Sequence, residues 1–362
     1  MRDCAGAVAA AGVTLEEDTV RARKGLMVLF AAAIGLQPVA APAQADILNY
    51  KGPDREKRLV ERAKQEGSLT IYTSLAPTES KPLADAFEKR YSIKVELWRA
   101  ISERVVQRAV SEARAGRHTA DVIATNGPEM ESLAREGILT TYFTPHAADL
   151  PPASIPRHRL WMPDRLQIFV VGFNTNLVKR EDLPTSLMGF ADPKWKGKIG
   201  VEAGDFEWMA TLVKKWGEGP GMAFFRKLSE LKPEVRKGHV LFAQLIAAGE
   251  IPIGLTTYSG NAEALKRKGA PIDYAPIDAV ARPQGLGIAK SAPHPAAALL
   301  YADFVLSAED GQKLYESMGR PPVNVKIKSS LTNFSMTYLD PVAVVDEADK
   351  WQKIWEDLFL RK

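Results

Sequence analysis

From Arg55 to Leu306 the sequence alternates short β-branched or aromatic runs with stretches of helical periodicity, and this alternation constrains the fold most. The helix expected over Arg55–Gln65 leads through Gly67 into Ser68-Leu69-Thr70-Ile71-Tyr72-Thr73-Ser74, a strand by its composition. Leu83, Ala86, Phe87 and Tyr91 then recur at helical spacing after Pro77, and a second strand is expected over Lys94–Trp98. A helix over Val105–Ala115 and a buried strand over Ala120–Thr125 complete the series. Strands alternating with helices imply a parallel sheet with crossover connections. Four prolines (Pro151, Pro152, Pro156, Pro163) make an irregular connection before an apolar strand over Ile168–Phe173. A second β-α series follows: strand Lys198–Glu202, helices Phe206–Trp216 and Gly221–Leu231, strand Ile251–Thr257. Gly285-Leu286-Gly287 reads as a turn leading to the helix Pro295–Leu306.

The simplest architecture is α/β with two lobes, the second inserted within the first. Residues 46–165 are expected to begin lobe I, 166–281 to form lobe II, and 282–325 to return to lobe I. The chain crosses between the lobes near 165–173 and 279–287, which would make a hinge. The tail 326–362 ends in an amphipathic helix, with Ala348, Trp351, Ile354, Trp355, Leu358 and Phe359 on the side that docks.

Arg21-Ala22-Arg23-Lys24, the apolar run Leu26 to Leu36 and the Ala43-Gln44-Ala45 ending read as a secretory signal peptide over residues 1–45, cleaved near Ala45. The run is shorter than the roughly 20 apolar residues a membrane span requires. Acidic Glu16, Glu17 and Asp18 upstream of the basic segment indicate an over-extended start over residues 1–19, with translation beginning near Val20. Cleavage leaves 362 − 45 = 317 residues and removes the only cysteine, Cys4, so the exported chain must be held by its own core. The mature balance is 44 − 40 = +4, compatible with an anionic ligand and far from a nucleic-acid footprint.

Signatures of catalysis are missing. There is no Gly-x-Ser-x-Gly elbow, no His-Glu-x-x-His pair and no phosphate-binding Gly-x-x-x-x-Gly-Lys loop. The histidines at 118, 146, 158, 239 and 294 show no i,i+4 pairing, which argues against zinc. An enzyme, a resident metal and a cofactor are not expected.

Several passages together resemble the extracellular solute-binding proteins of ABC importers, in the family 1, iron(III)-type branch. They are Ser68–Ser74, Ala115-Gly116-Arg117 with Ala120-Asp121-Val122, and Pro193-Lys194-Trp195-Lys196-Gly197-Lys198-Ile199-Gly200. Ala247-Ala248-Gly249-Glu250-Ile251-Pro252 and Ala292-Pro293-His294-Pro295-Ala296-Ala297 complete the set. The resemblance implies a two-lobed, type II-like periplasmic binding protein, each lobe a mainly parallel sheet flanked by helices. It further implies a monomer that closes over a small solute and delivers it to a membrane permease. Iron binders of this branch carry adjacent tyrosines where this chain has Thr257-Tyr258-Ser259, and often a carboxylate where it has Thr125-Asn126-Gly127. One phenolate is a poor cage for a hard ferric ion. A polar, anionic or zwitterionic organic solute is therefore the expected cargo, with ferric iron as the alternative and an exported enzyme on the same fold as the rival class.

Ligands of open α/β sheets sit at the carboxyl ends of strands, which directs attention to ten residues. Thr73 and Ser74 end the first strand, and Thr125 and Asn126 the third; their hydroxyls and amide could grip an oxyanion, or Asn126 could only start a turn. Gly204 and Asp205 precede the helix Phe206–Trp216, where Asp205 is either a cap or a partner for a ligand amine. Trp208 is either a cover for the solute or a core residue. Tyr258 follows a strand end in the second lobe, and Arg165 and Arg282 lie at the crossings as anion partners or solvated hinge residues.

Overall fold

The computed structural model describes residues 46–361, so the signal peptide expected over 1–45, with Cys4, lies outside the described residues. Helix α1 (Arg55–Glu66) buries Leu59 and Ala63, and stops where Gly67, at φ +72°, turns its N–H back to the Ala63 carbonyl. The chain continues through β1 (Ser68–Thr73), α2 (Pro77–Tyr91), β2 (Lys94–Arg99), α3 (Ser102–Arg114) and β3 (Val122–Asn126). β1 pairs in parallel with both β2 and β3, and α2 and α3 are the crossovers that parallel pairing demands. Helix α4 (Gly127–Arg135) follows β3 without a loop. Asn126 thus precedes a helix rather than a free turn, and Pro128 in its first turn is preset for helical φ.

After β4 (Leu139–Thr140) and an irregular stretch comes β5 (Met162–Asn174), longer than the expected 168–173. Pro163 is tolerated there because the register shifts between Pro163 and Arg165. The chain then forms β6 (Ile199–Glu202), α5 (Phe206–Trp216), α6 (Glu218–Glu230) and β7 (Glu234–Arg236). Helix α7 (His239–Ala248), β8 (Ile253–Tyr258), α8 (Ser259–Lys266) and β9 (Ile272–Ala289) come next. The final elements are α9 (Pro295–Leu306), α10 (Gly311–Ser317), β10 (Thr337–Tyr338), α11 (Pro341–Asp346) and α12 (Ala348–Trp355).

The strands join in one sheet of order β2-β1-β3-β9-β5-β8-β6-β7, with β4 and β10 also on β9. The parallel trios β2-β1-β3 and β8-β6-β7 flank two long antiparallel strands, β9 and β5, which contain the expected crossings at 279–287 and 165–173. Gly285-Leu286-Gly287 is not a turn but the paired end of β9, opposite Thr125, Ala124 and Ile123. The glycines are there for space. A Cβ at Gly285 would lie 2.6 Å from Met130 Cγ and 2.7 Å from the Trp161 ring, and one at Gly287 2.9 Å from Met130 Cε.

Three apolar clusters pack on the sheet, two of them large. One gathers Leu59, Ile71, Phe87 and Leu286 around α9, which is buried along nearly its whole circumference. Its one acidic residue, Asp303, is paired with Arg55 at 2.6 Å. The other large cluster gathers Phe169, Val201, Trp208, Phe225 and Leu255. Helix α12 docks on it through Trp351 and Trp355, and Trp355 Nε1 donates to the Ala203 carbonyl at 2.8 Å.

Candidate functional site

The pairing register shows where the strand ends converge. β3 ends at Asn126, opposite Gln284 of β9. β8 approaches from the other direction and ends at Tyr258, opposite Phe169, which in turn faces Val280 of β9. Both trios therefore direct their carboxyl ends at the stretch of β9 between residues 280 and 284, with Arg282 in its middle. At about 3.4 Å per residue that stretch spans roughly 14 Å, a scale suited to a small solute.

On the β1–β3 side the Thr73 hydroxyl is spent locally, accepting from the Leu75 N–H at 3.0 Å inside the protein. Ser74 Oγ and Thr125 Oγ1 share a hydrogen bond of 2.9 Å across the two strand ends. The Asn126 amide donates to Ser102 Oγ at 2.9 Å and also lies against Glu129, in the first turn of α4. Burial raises the Glu129 carboxyl above its ordinary range; Arg282 opposes this and Glu207 reinforces it.

On the β6–β8 side the ring of Tyr258 is stacked on His239 at 3.6 Å and meets Phe169 edge-on at 5.0 Å. Its hydroxyl accepts from Arg282 Nη2 at 2.7 Å, and Arg282 Nη1 lies 3.3 Å from Glu207 Oε2. Burial raises the Tyr258 phenol far above its ordinary value, so the ring stays neutral beside the guanidinium. Burial also opposes charge on Arg282, but Tyr258, Glu207, Glu129 and Asp205 overcome it and hold the guanidinium protonated. Arg282 Nε is buried without a partner. A cation flanked by acidic groups from α4 and α5 thus occupies the convergence point.

Gly204 donates its N–H to Glu202 Oε2 at 2.6 Å. Asp205 stands at the cap position of α5, yet its side chain makes no capping bond. Instead Oδ1 faces His239 Nε2 at 3.3 Å, while Oδ2 is buried and unpartnered. Two residues fall elsewhere. Trp208 is a core residue, 1 % exposed, with Phe225 and Trp355 edge-on at 5.3 and 6.4 Å, so it covers no ligand. Arg165 is neither solvated nor in contact with Arg282. It is 4 % exposed, bonded to both oxygens of Asp164 at 3.1 Å, with Nε 4.0 Å from Glu79 Oε2.

The structure thus groups Asp205, Tyr258 and Arg282, pairs Ser74 with Thr125, and links Asn126 to the same centre through Glu129. Sequence reasoning missed Glu129, Glu202, Glu207 and His239. Glu129 and Glu207 each lie within three residues of a strand end or cap already singled out, which was the available signal. His239 had none: it opens α7, whose residues are apolar all round and carry no helical stripe. Glu202, Asp205 and His239 bring their ligand atoms within 4.8 Å of one another, a grouping that could hold a metal ion.

A family model described as bacterial extracellular solute-binding protein matches residues 82–333. The major ferric iron-binding protein of Neisseria meningitidis serogroup B is 25% identical over 296 residues, covering 77% of this chain and 86% of that protein. Iron-bound HitA from Pseudomonas aeruginosa aligns in structure with a TM-score of 0.68 at 21% identity, over 80% of this chain and 99% of its own. The periplasmic binding protein AfuA from Actinobacillus pleuropneumoniae, with fructose-6-phosphate bound, gives 0.66 at 22% identity, over 82% and 99%. The fold is accordingly the two-lobed α/β arrangement of these proteins.

Proposed function

Since the chain belongs to the bacterial extracellular solute-binding proteins, we propose that it captures a small anionic or zwitterionic organic solute between two lobes and delivers it to the permease of an ABC importer. One observation carries the choice of solute: Arg282, charged and with an unpartnered Nε, stands where the strand ends of both trios converge. A buried guanidinium at that place suits an oxyanion, and Glu129 and Glu207 beside it suit an ammonium on the same molecule. Ser74, Thr125, Asn126 and the Gly204 carbonyl supply neutral polar contacts, and Tyr258 positions the guanidinium.

Residues 46–165 with 282–325 form one lobe in this reading, 166–281 the other, and 326–362 a tail. β5 and β9 then serve as the hinge, and a solute touching both lobes favours the closed state by its differential affinity. The protein works as a monomer in the periplasm after cleavage near Ala45, and turns over no substrate. A thermal-shift panel of phosphonates, sugar phosphates, amino acids and polyamines tests the class. A binder at about 100 times its dissociation constant stabilises by roughly 2.7 kcal/mol. Solution scattering with that binder should show compaction, and an unchanged radius at saturation would remove the hinge.

Ferric iron is the second reading, favoured by the likeness to the meningococcal ferric iron-binding protein. It predicts that ferric ion alone shifts the melting temperature and that Tyr258→Phe abolishes the shift. The chain offers one phenol at this place, bonded to Arg282, and a cation beside it opposes binding of Fe3+.

A further inference from the structure

We propose a binding site for one divalent transition-metal ion, Zn2+ in the first instance, formed by Glu202, Asp205 and His239. The three come from separate elements: Glu202 ends β6, Asp205 stands before α5, and His239 opens α7. Their ligand atoms lie within 4.8 Å of one another. Two carboxylates and an imidazole are the borderline donor set that such ions take.

The spacing favours a metal over a direct ion pair. Asp205 Oδ1 and His239 Nε2 are 3.3 Å apart, longer than the 2.7–2.9 Å typical of a charge-assisted hydrogen bond. Two ligands each about 2.05 Å from a tetrahedral ion lie roughly 3.3 Å from one another. Asp205 is 4 % exposed and its second oxygen, Oδ2, is buried with no partner, so the carboxylate has been desolvated without compensation. His239 Nδ1 is buried and unpartnered, and Nε2 is the ring nitrogen turned to Asp205. The ring's orientation comes from the 3.6 Å stack on Tyr258.

Glu202 is held in place by main-chain donors. Oε2 accepts from Gly204 N–H at 2.6 Å and Oε1 from Gly238 N–H at 2.7 Å, leaving lone pairs free on a carboxylate that cannot rotate away. The amino ends of α5 and α7 direct roughly half a positive charge each at this spot, against two formal negative charges, so the balance favours a cation. The nearby Arg282 guanidinium reduces this balance, but its own charge is met by Glu207 at 3.3 Å. The other histidines in contact with acids have committed partners: His158 is 2.8 Å from Glu131, and His294 is 3.0 Å from Asp121.

Metal binding is measured on solute-free protein and is therefore independent of which solute is carried. The full chain, stripped with EDTA, is titrated with ZnCl2 and separately with MnCl2 by calorimetry. One ion per chain is expected, weakened at least about tenfold by either His239→Ala or Asp205→Asn. Circular dichroism checks that each variant folds. On the parent protein, Zn2+ should protect His239 from carbethoxylation while leaving His158 and His294 as reactive as before. Absence of saturable binding, binding indifferent to both substitutions, or failure to protect His239 would each overturn the site. Solute binding in EDTA is scored separately, so failure here leaves the solute reading untouched, and the converse holds.

Discussion

Replacing Tyr258 with phenylalanine removes one oxygen from the centre of the site and leaves the ring stack on His239 in place. The lost interaction is the 2.7 Å hydrogen bond from Arg282 Nη2, and the donor left behind belongs to a buried, charged guanidinium. Hydrogen bonds to charged groups contribute about 1.5–3 kcal/mol, and an orphaned charged donor keeps the full desolvation cost. The 361 − 45 = 316 described residues correspond to an unfolding entropy of about 0.66 kcal/mol/K at about 2.1 cal/mol/K per residue. Dividing one by the other gives an expected fall in melting temperature of about 2–5 °C without solute. Arg282→Met is harsher, since it leaves Glu207 and Glu129 without their cation, and breaking a buried ion pair costs about 3–5 kcal/mol. The two changes share one interaction, so the double variant should fall short of the sum by at least about 0.5 kcal/mol. Urea denaturation of the parent, both single variants and the double closes the cycle. Strict additivity, with Tyr258→Phe melting as the parent does, would refute the view that this phenol holds the guanidinium.

Glu129 predicts a pH effect. Its carboxyl is raised by burial, so its contribution to stability is full below the ordinary carboxylate range and is lost as pH rises through the raised value. Glu129→Gln should therefore gain on the parent as pH goes from about 4 to about 8 in a series of melts; a constant difference would count against the burial argument. Gly285→Ala places a methyl 2.6 Å from Met130 Cγ and should cost about 1–3 kcal/mol by urea denaturation, whereas a turn glycine with open space would tolerate it. Trp355→Ala removes the ring against Trp208 and the bond to Ala203, for an expected loss of about 3–5 kcal/mol. A loss under about 1 kcal/mol would mean the tail is not part of that core.

The β-α rhythm was legible in the residues alone, because period-2 and period-3.6 patterns are local. α5 and α9 have the bounds that pattern and caps predict, Phe206–Trp216 and Pro295–Leu306. The sequence also pointed to the strand ends as the place to look, since the ends of β1 and β3 and the start of the helix after Gly204 follow from local pattern. What it did not hold were the facts fixed by packing. α7 is apolar all round and so has no stripe to read, and Gly285-Leu286-Gly287 looks like a turn until Met130 and Trp161 are brought against it. Trp208 became a core residue because α12, some 140 positions later, covers it. Arg165 and Arg282 look alike in the sequence. Only the fold gave one to Asp164 and Glu79 and set the other between Glu207 and Tyr258. The grouping of Glu202, Asp205 and His239 was equally out of reach, because residues up to 37 positions apart become neighbours only when β6, α5 and α7 close on one another. Side-chain identity sets what chemistry is possible. Which groups are desolvated together, and hence which are charged, unpartnered and able to bind, is decided by tertiary contacts.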